Sequence, residues 1–349
     1  MEGRTHYEKI IGGTSEDKEI ASGELQTAFE EQDTRLAEYE IKKSPEDLEI
    51  IKKTESLVDK FVLKYGGDPK PLPADNIYIL KPDSVLEISH GKISGGIFKP
   101  LVLKIGVEQQ KSKLLFVSIL AHELFHLKSY KSARFGQSNE DIRLYRSGLS
   151  MIDLKNQSEE GGEEKRYFDD LEEAIVAECT KKIVDEISKD EEFREEMKAV
   201  VKLRDWHSAY YGISSEEAIG SGSEIKYIVN PQDKVADVLA FSDNEESRQA
   251  YAAGMIDYAY EEGDAEIVER QREREKLYKL LDNLITGSGG KLKNREEVFD
   301  EFARANFSGN YLPLARMVED ILGKGSFRKL AEEFSNESSK EDDENLPDN

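Results

Sequence analysis

Cysteine is almost absent from this 349-residue chain. With Cys179 alone no intramolecular disulfide can form, so packing and polar contacts must hold the fold. Histidine is scarce as well: His6, His90, His122, His126 and His207 make up all five. Long apolar runs are missing. The most apolar stretch, Leu114 to Leu127, is interrupted by two histidines and a glutamate and falls short of the roughly 18 residues that a membrane span requires. The opening Met1-Glu2-Gly3-Arg4-Thr5-His6-Tyr7-Glu8-Lys9 has no apolar core of the secretory kind, so a cytoplasmic location is the expectation. Cationic charge is in the minority: Lys and Arg number 49 against 73 Asp and Glu, a formal net charge of -24. Such a chain repels nucleic acid phosphates and anionic lipid, which argues against nucleic acid or membrane as a partner. Solubility is the simplest use of the surplus charge.

Punctuation along the chain predicts its elements. Residues 1–22 are polar and read as loose, and residues 24–42 have helical composition. Ser44-Pro45-Glu46-Asp47 is a helix start, with Ser at the cap, Pro at the first helical position and an acid three residues after the Ser. That helix should run to Tyr65 and stop at Gly66-Gly67. Asn76 to Leu80, Ser84 to Ile88 and Ile97 to Ile105 read as strands, and 111–131 as a long helix. Residues 142–154 read as one hairpin arm, with Lys165 to Phe168 as the other. A second strong helix is expected over 169–188, and mostly helix from 191 onward. Residues 266–285 read as a surface helix packed on one stripe. The division expected is an acidic helical segment (1–66), a catalytic domain (67–290), a C-terminal helical segment (291–335) and a disordered acidic tail (336–349).

The chemistry is concentrated in His122-Glu123-Leu124-Phe125-His126. Residues four apart lie on one face of a helix, so both imidazoles can bind a single zinc ion. Glu123, one step round the helix, can reach water held by that ion and act as general base. The flanking Leu114 to Ala121 contains no helix breaker and is nearly all apolar, which places the motif in a core. Histidines and a carboxylate buried there need partners, and a metal satisfies all three. The competing reading is a set of hydrogen-bonded core histidines with Glu123 paired to a cation. One zinc per chain is expected.

Catalytic zinc needs a third protein ligand and an open position. The helix from Phe168 to Cys179 offers Glu172, Glu173 and Glu178. Glu178 has Lys181 and Lys182 at i+3 and i+4, so an ion pair accounts for it. Glu172 and Glu173 both look onto apolar positions, and helical spacing does not separate them.

His122-Glu123-Leu124-Phe125-His126 followed by Leu171-Glu172-Glu173-Ala174-Ile175 resembles the gluzincin metallopeptidases, which carry HExxH on one helix and a glutamate, often within Asn-Glu-Ala, on a later one. The likeness covers residues 70–190. It implies a zincin-like α+β fold, with a small mixed or antiparallel sheet packed on the active-site helix and a largely helical C-terminal part. It implies His122, His126 and Glu173 as metal ligands and Glu123 as catalytic base. It also implies a peptide or protein substrate laid along the edge of the strand at 97–105. Many such enzymes support a zinc histidine with an acid four residues after the ligand, and here Ala177 occupies that place. Tyr167 and His207 are the candidates for stabilising an oxyanion. The expected function is zinc-dependent peptide hydrolysis. The alternative is a catalytically inactive zincin-fold protein that binds or regulates a partner.

Overall fold

Ser44 opens the first long helix, α1 (Pro45–Lys64), through a complete capping box. The Asp47 amide donates to Ser44 Oγ at 3.1 Å, and the Ser44 amide donates to Asp47 Oδ2 at 2.7 Å. The chain turns away at Tyr65, and Gly66 takes a φ of 78°, which an L side chain rarely adopts. Both ends of this helix lie where its sequence places them. The computed structural model describes residues 9–11, 36–82, 84–88, 96–99, 104–109, 113–135, 142–152, 165–194, 219–220, 224–225 and 265–335. The expected tail at 336–349, His6, His90 and His207 lie outside them.

The remaining elements in chain order are β1 (Lys9–Ile11, preceding α1), β2 (Ile77–Leu80), α2 (Ser84–Ile88), β3 (Gly96–Lys99), β4 (Lys104–Glu108) and α3 (Lys113–Lys128). After these come β5 (Lys131–Phe135), β6 (Ile142–Ser147), β7 (Ser150–Ile152), β8 (Arg166–Tyr167) and α4 (Asp169–Ile187). A short ribbon, β9 (Ile219–Gly220) with β10 (Glu224–Ile225), precedes α5 (Ala265–Gly287), α6 (Arg295–Ser308), α7 (Leu312–Leu322) and α8 (Ser326–Glu333). The architecture is mixed α+β, largely helical, with small sheets. No helix among the described residues is long and apolar enough to cross a membrane.

One sheet has the order β2-β4-β3, with β2 parallel and β3 antiparallel to β4. The other has the order β1-β5-β6-β7-β8, antiparallel except for the β1–β5 pair. Four sequence expectations change here. Ser84 to Ile88 is helical: Ser84 Oγ donates to the Lys81 carbonyl at 2.6 Å, and the Val85 amide donates to Glu108 Oε1 at 2.7 Å, so capping overrides the β-branched composition. The strand expected over 97–105 is two strands, β3 and β4, paired antiparallel with Phe98 opposite Ile105. The arm expected over 142–154 is itself a hairpin, because Gly148 adopts a φ of 57° and turns β6 into β7. β7 then pairs with β8, Met151 opposite Tyr167, as the expected far arm does. Finally, Lys9–Ile11, inside the segment read as loose, forms β1 beside β5, with Ile10 opposite Ala133.

Helix α3 is buried over most of its surface, as its largely apolar sequence requires. It packs against α1, α4, β3 and β4. The same apolar cluster takes in Val58 and Val62 of α1, Leu120 and Phe125 of α3, Ile175 of α4, Leu281 of α5, and Phe302 and Phe307 of α6. Ring contacts tie its parts together: Phe125 lies 5.3 Å from Phe61 and 5.7 Å from Phe307 between centroids. On α5, Leu277, Leu280, Leu281 and Leu284 are buried while Lys279 is exposed, the one-sided pattern expected of that helix.

Candidate metal centre

Two helices, α3 and α4, bring the polar groups together. His122 and His126 leave α3 one turn apart, with ring centroids 4.5 Å apart and planes at 77°. Glu173, on the second turn of α4, reaches both. Nε2 of His126 lies 2.9 Å from Nε2 of His122 and 3.2 Å from Oε2 of Glu173, and the third side of the triangle is 3.4 Å. Two imidazole nitrogens and a carboxylate oxygen thus converge on one point, close enough to hold a metal ion. The residues fit zinc on geometry as well as chemistry: ligands at about 2.0–2.1 Å in a tetrahedron stand roughly 3.3 Å from each other. The two histidines are 3% and 4% exposed. The Glu173 side chain keeps 37% exposure, so the cluster opens to solvent on the side of α4.

Glu172 resolves the ambiguity that helical spacing left. It points at the other nitrogen of His126, with Oε2 3.1 Å from Nδ1 and both side chains 5% exposed. A carboxylate there fixes the proton on Nδ1 and leaves the Nε2 lone pair for the centre of the triangle. The adjacent glutamates therefore take different places, Glu173 among the converging atoms and Glu172 behind His126. Sequence reasoning looked for the supporting acid at position 177. Ala177 is buried, and the acid comes instead from the residue just before the candidate ligand. The signal in the sequence was the Glu172-Glu173 pair itself.

The electrostatics follow from burial and these contacts. Burial opposes a charge on His126, but the Glu172 and Glu173 carboxylates override it and hold its pKa well above the ordinary value. Burial would raise Glu173, yet His126 and His122 hold it well below the usual carboxylate range. For Glu172 burial prevails and its pKa is raised, although the charge and hydrogen bond of His126 oppose this.

The end of α3 is fastened by two buried lysines. Lys131 donates to the carbonyl of His126 itself and, at 3.2 Å, to Ser147 Oγ of β6. Lys128 pairs with Asp59 and, at 3.0 Å, with Glu55, both on α1. Glu123 is 4% exposed. It lies against β3, an edge strand of its sheet among the described residues. A Cβ built on Gly96 would stand 2.8 Å from Glu123 Cγ and 2.9 Å from its Oε1. Gly96 was not singled out from sequence, where it is one of a Gly95-Gly96 pair. Tyr167 is half-buried on β8, with the Lys165 ammonium 5.5 Å over its ring.

No protein-family model, no curated protein and no solved structure matches this chain significantly.

Proposed function

We propose that this chain is a zinc-dependent peptidase of the gluzincin type, with His122, His126 and Glu173 holding the metal and Glu123 acting as general base. The observation that carries this reading is the triangle of His122 Nε2, His126 Nε2 and Glu173 Oε2, next to a buried glutamate one residue along the same helix. Zinc bound there would acidify water and polarise a substrate carbonyl. Glu123 accepts the proton of the attacking water and returns it to the departing amide nitrogen, so no covalent intermediate with the protein is needed. Glu172 keeps His126 in one tautomer throughout. β3 lies over α3 beside Glu123, and main-chain pairing of an extended peptide to this strand would make a peptide or protein the substrate. Zincin-like architecture accords with a small mixed sheet resting on the histidine helix.

A second reading is a zincin-fold binding protein without turnover. Its sequence support was the missing acid at position 177, and the contact from Glu172 to His126 weakens that argument. One experiment separates the readings. Elemental analysis of protein purified without chelators should give about one zinc per chain. Cleavage of an unstructured protein should fall by roughly 10²–10⁴ in Glu123→Gln, with zinc content unchanged. Full zinc with no cleavage by the wild type would select the binding protein, and no zinc would remove both.

A further inference from the structure

Phe168 is the only non-glycine residue with positive φ among the described residues (φ 60°, ψ 19°). A bulky side chain is disfavoured there and persists only where its surroundings impose it. It occupies the residue that starts α4, its carbonyl accepting the Glu172 amide at 2.9 Å. The direction in which Glu172 and Glu173 leave this helix start therefore depends on Phe168 keeping that conformation.

What imposes it comes from α8. The Phe168 ring is 2% exposed and lies 5.0 Å from the Phe327 ring between centroids. The Phe168 amide donates to the Ala331 carbonyl at 3.4 Å, a long bond but an unusual one, since it ties a helix start to a helix more than 150 residues later. Lys165 Nζ lies 3.6 Å from Glu332. Phe327 is in turn stacked on Tyr311, centroids 6.3 Å apart, and Arg146 stands 5.0 Å over the Tyr311 ring. α8 thus grips two residues just before α4: Phe168 through a ring contact and a main-chain bond, and Lys165 through an ion pair.

We infer that Phe168 is a positioning residue for the metal centre and that α8 is the clamp that holds it. This rests on the metal-site reading above. If docking of α8 favours the arrangement that binds metal, then metal must favour docking of α8 by the same factor. The coupling runs from Phe327 through Phe168 to Glu172 and Glu173.

The test uses the full chain with zinc as the probe. Zinc affinity, measured by competition with a chromogenic chelator, should be roughly tenfold weaker in Phe327→Ala, within the usual range of site-to-site coupling. Amide exchange over 165–168 and 326–334 in the wild type should slow when zinc is added, and this holds the proposal to account even if Phe327→Ala fails to fold. Zinc affinity equal to wild type in a folded Phe327→Ala would overturn the clamp while leaving the metal site intact. So would zinc binding with unchanged exchange in those segments. A wild type that takes up no zinc would defeat the metal reading, and the clamp with it.

Discussion

Glu172 Oε2 and His126 Nδ1 lie 3.1 Å apart, while Glu173, the next residue, faces Nε2 of the same imidazole at 3.2 Å. Two adjacent carboxylates thus engage the two nitrogens of one ring. Their substitutions should separate cleanly. Glu173→Ala removes a proposed ligand and should abolish stoichiometric zinc. Glu172→Gln keeps the ligand set and loses a charged support, so zinc should still bind but about 10- to 100-fold more weakly. Competition titration of both variants reads the difference. Equal losses would mean that the two glutamates are interchangeable, contrary to their placement.

Gly96 brings β3 close against Glu123, the proposed general base. A methyl group there meets Glu123 Cγ and Ile119 Cγ2, each at 2.8 Å. Gly96→Ala should therefore displace the Glu123 carboxylate or lift the strand. On the proposed mechanism, either movement should lower kcat well below wild type while zinc bound by His122, His126 and Glu173 should be retained. Overpacking should also cost about 1–3 kcal/mol of stability. Zinc stoichiometry, thermal unfolding and peptide turnover together check this, and unchanged kcat would show that Glu123 tolerates the shift.

Much of this was legible locally. The capping box at Ser44, the i,i+4 histidines and the uninterrupted apolar flank of α3 are short-range signals, and the structure follows them. What was not legible depends on distant partners. Ser84 to Ile88 folds as a helix because Glu108, from another strand, caps Val85. The choice between Glu172 and Glu173 depends on how α4 lies against α3, which no window of α4 records. Gly96 matters only because β3 crosses Glu123. The turn at Gly148 fits because Asn306 fills the space a side chain would need: an added Cβ would stand 2.1 Å from Asn306 Oδ1.

The metal-free protein should have a distinctive pH profile. His126 is held above its ordinary 6.5, burial being outweighed by Glu172 and Glu173, so its contribution is complete below 6.5 and is lost as pH rises through the raised value. Glu173 is held below its ordinary 4.5, burial being outweighed by His126 and His122, so its contribution is present above 4.5 and is lost as pH falls through the lowered value. Glu172, raised by burial, works against the fold above 4.5. With chelator present, Tm should therefore decline as pH rises above the ordinary histidine value of 6.5. The increment that zinc adds should grow over the same range, because the ion replaces the proton on His126. A chelated Tm that stays level through that range would show that the His126 proton is not part of the metal-free fold.

Asn306 ties α6 to the helix that carries His122 and His126. It is fully buried, accepts from the Leu149 amide at 2.9 Å and donates to Ser129 Oγ at 3.0 Å. Its carbonyl accepts the Tyr130 amide at 3.1 Å, and Ser129 Oγ in turn donates to the Phe125 carbonyl at 2.8 Å. One side chain of α6 thus holds both the β6–β7 turn and the end of the helix that carries both histidines. Asn306→Ala leaves the buried Leu149 amide without an acceptor and opens a small void, a loss of about 2–4 kcal/mol. Because the bonds cross between elements, the destabilisation should appear in one transition, seen equally by far-ultraviolet circular dichroism and by the fluorescence of an aromatic core probe. Two separated transitions, with only the later one shifted, would instead assign α6 to α8 an independent stability. The shared core of Phe61, Phe125 and Phe307 argues for the single transition, since Phe125 cannot stay packed once α6 has left.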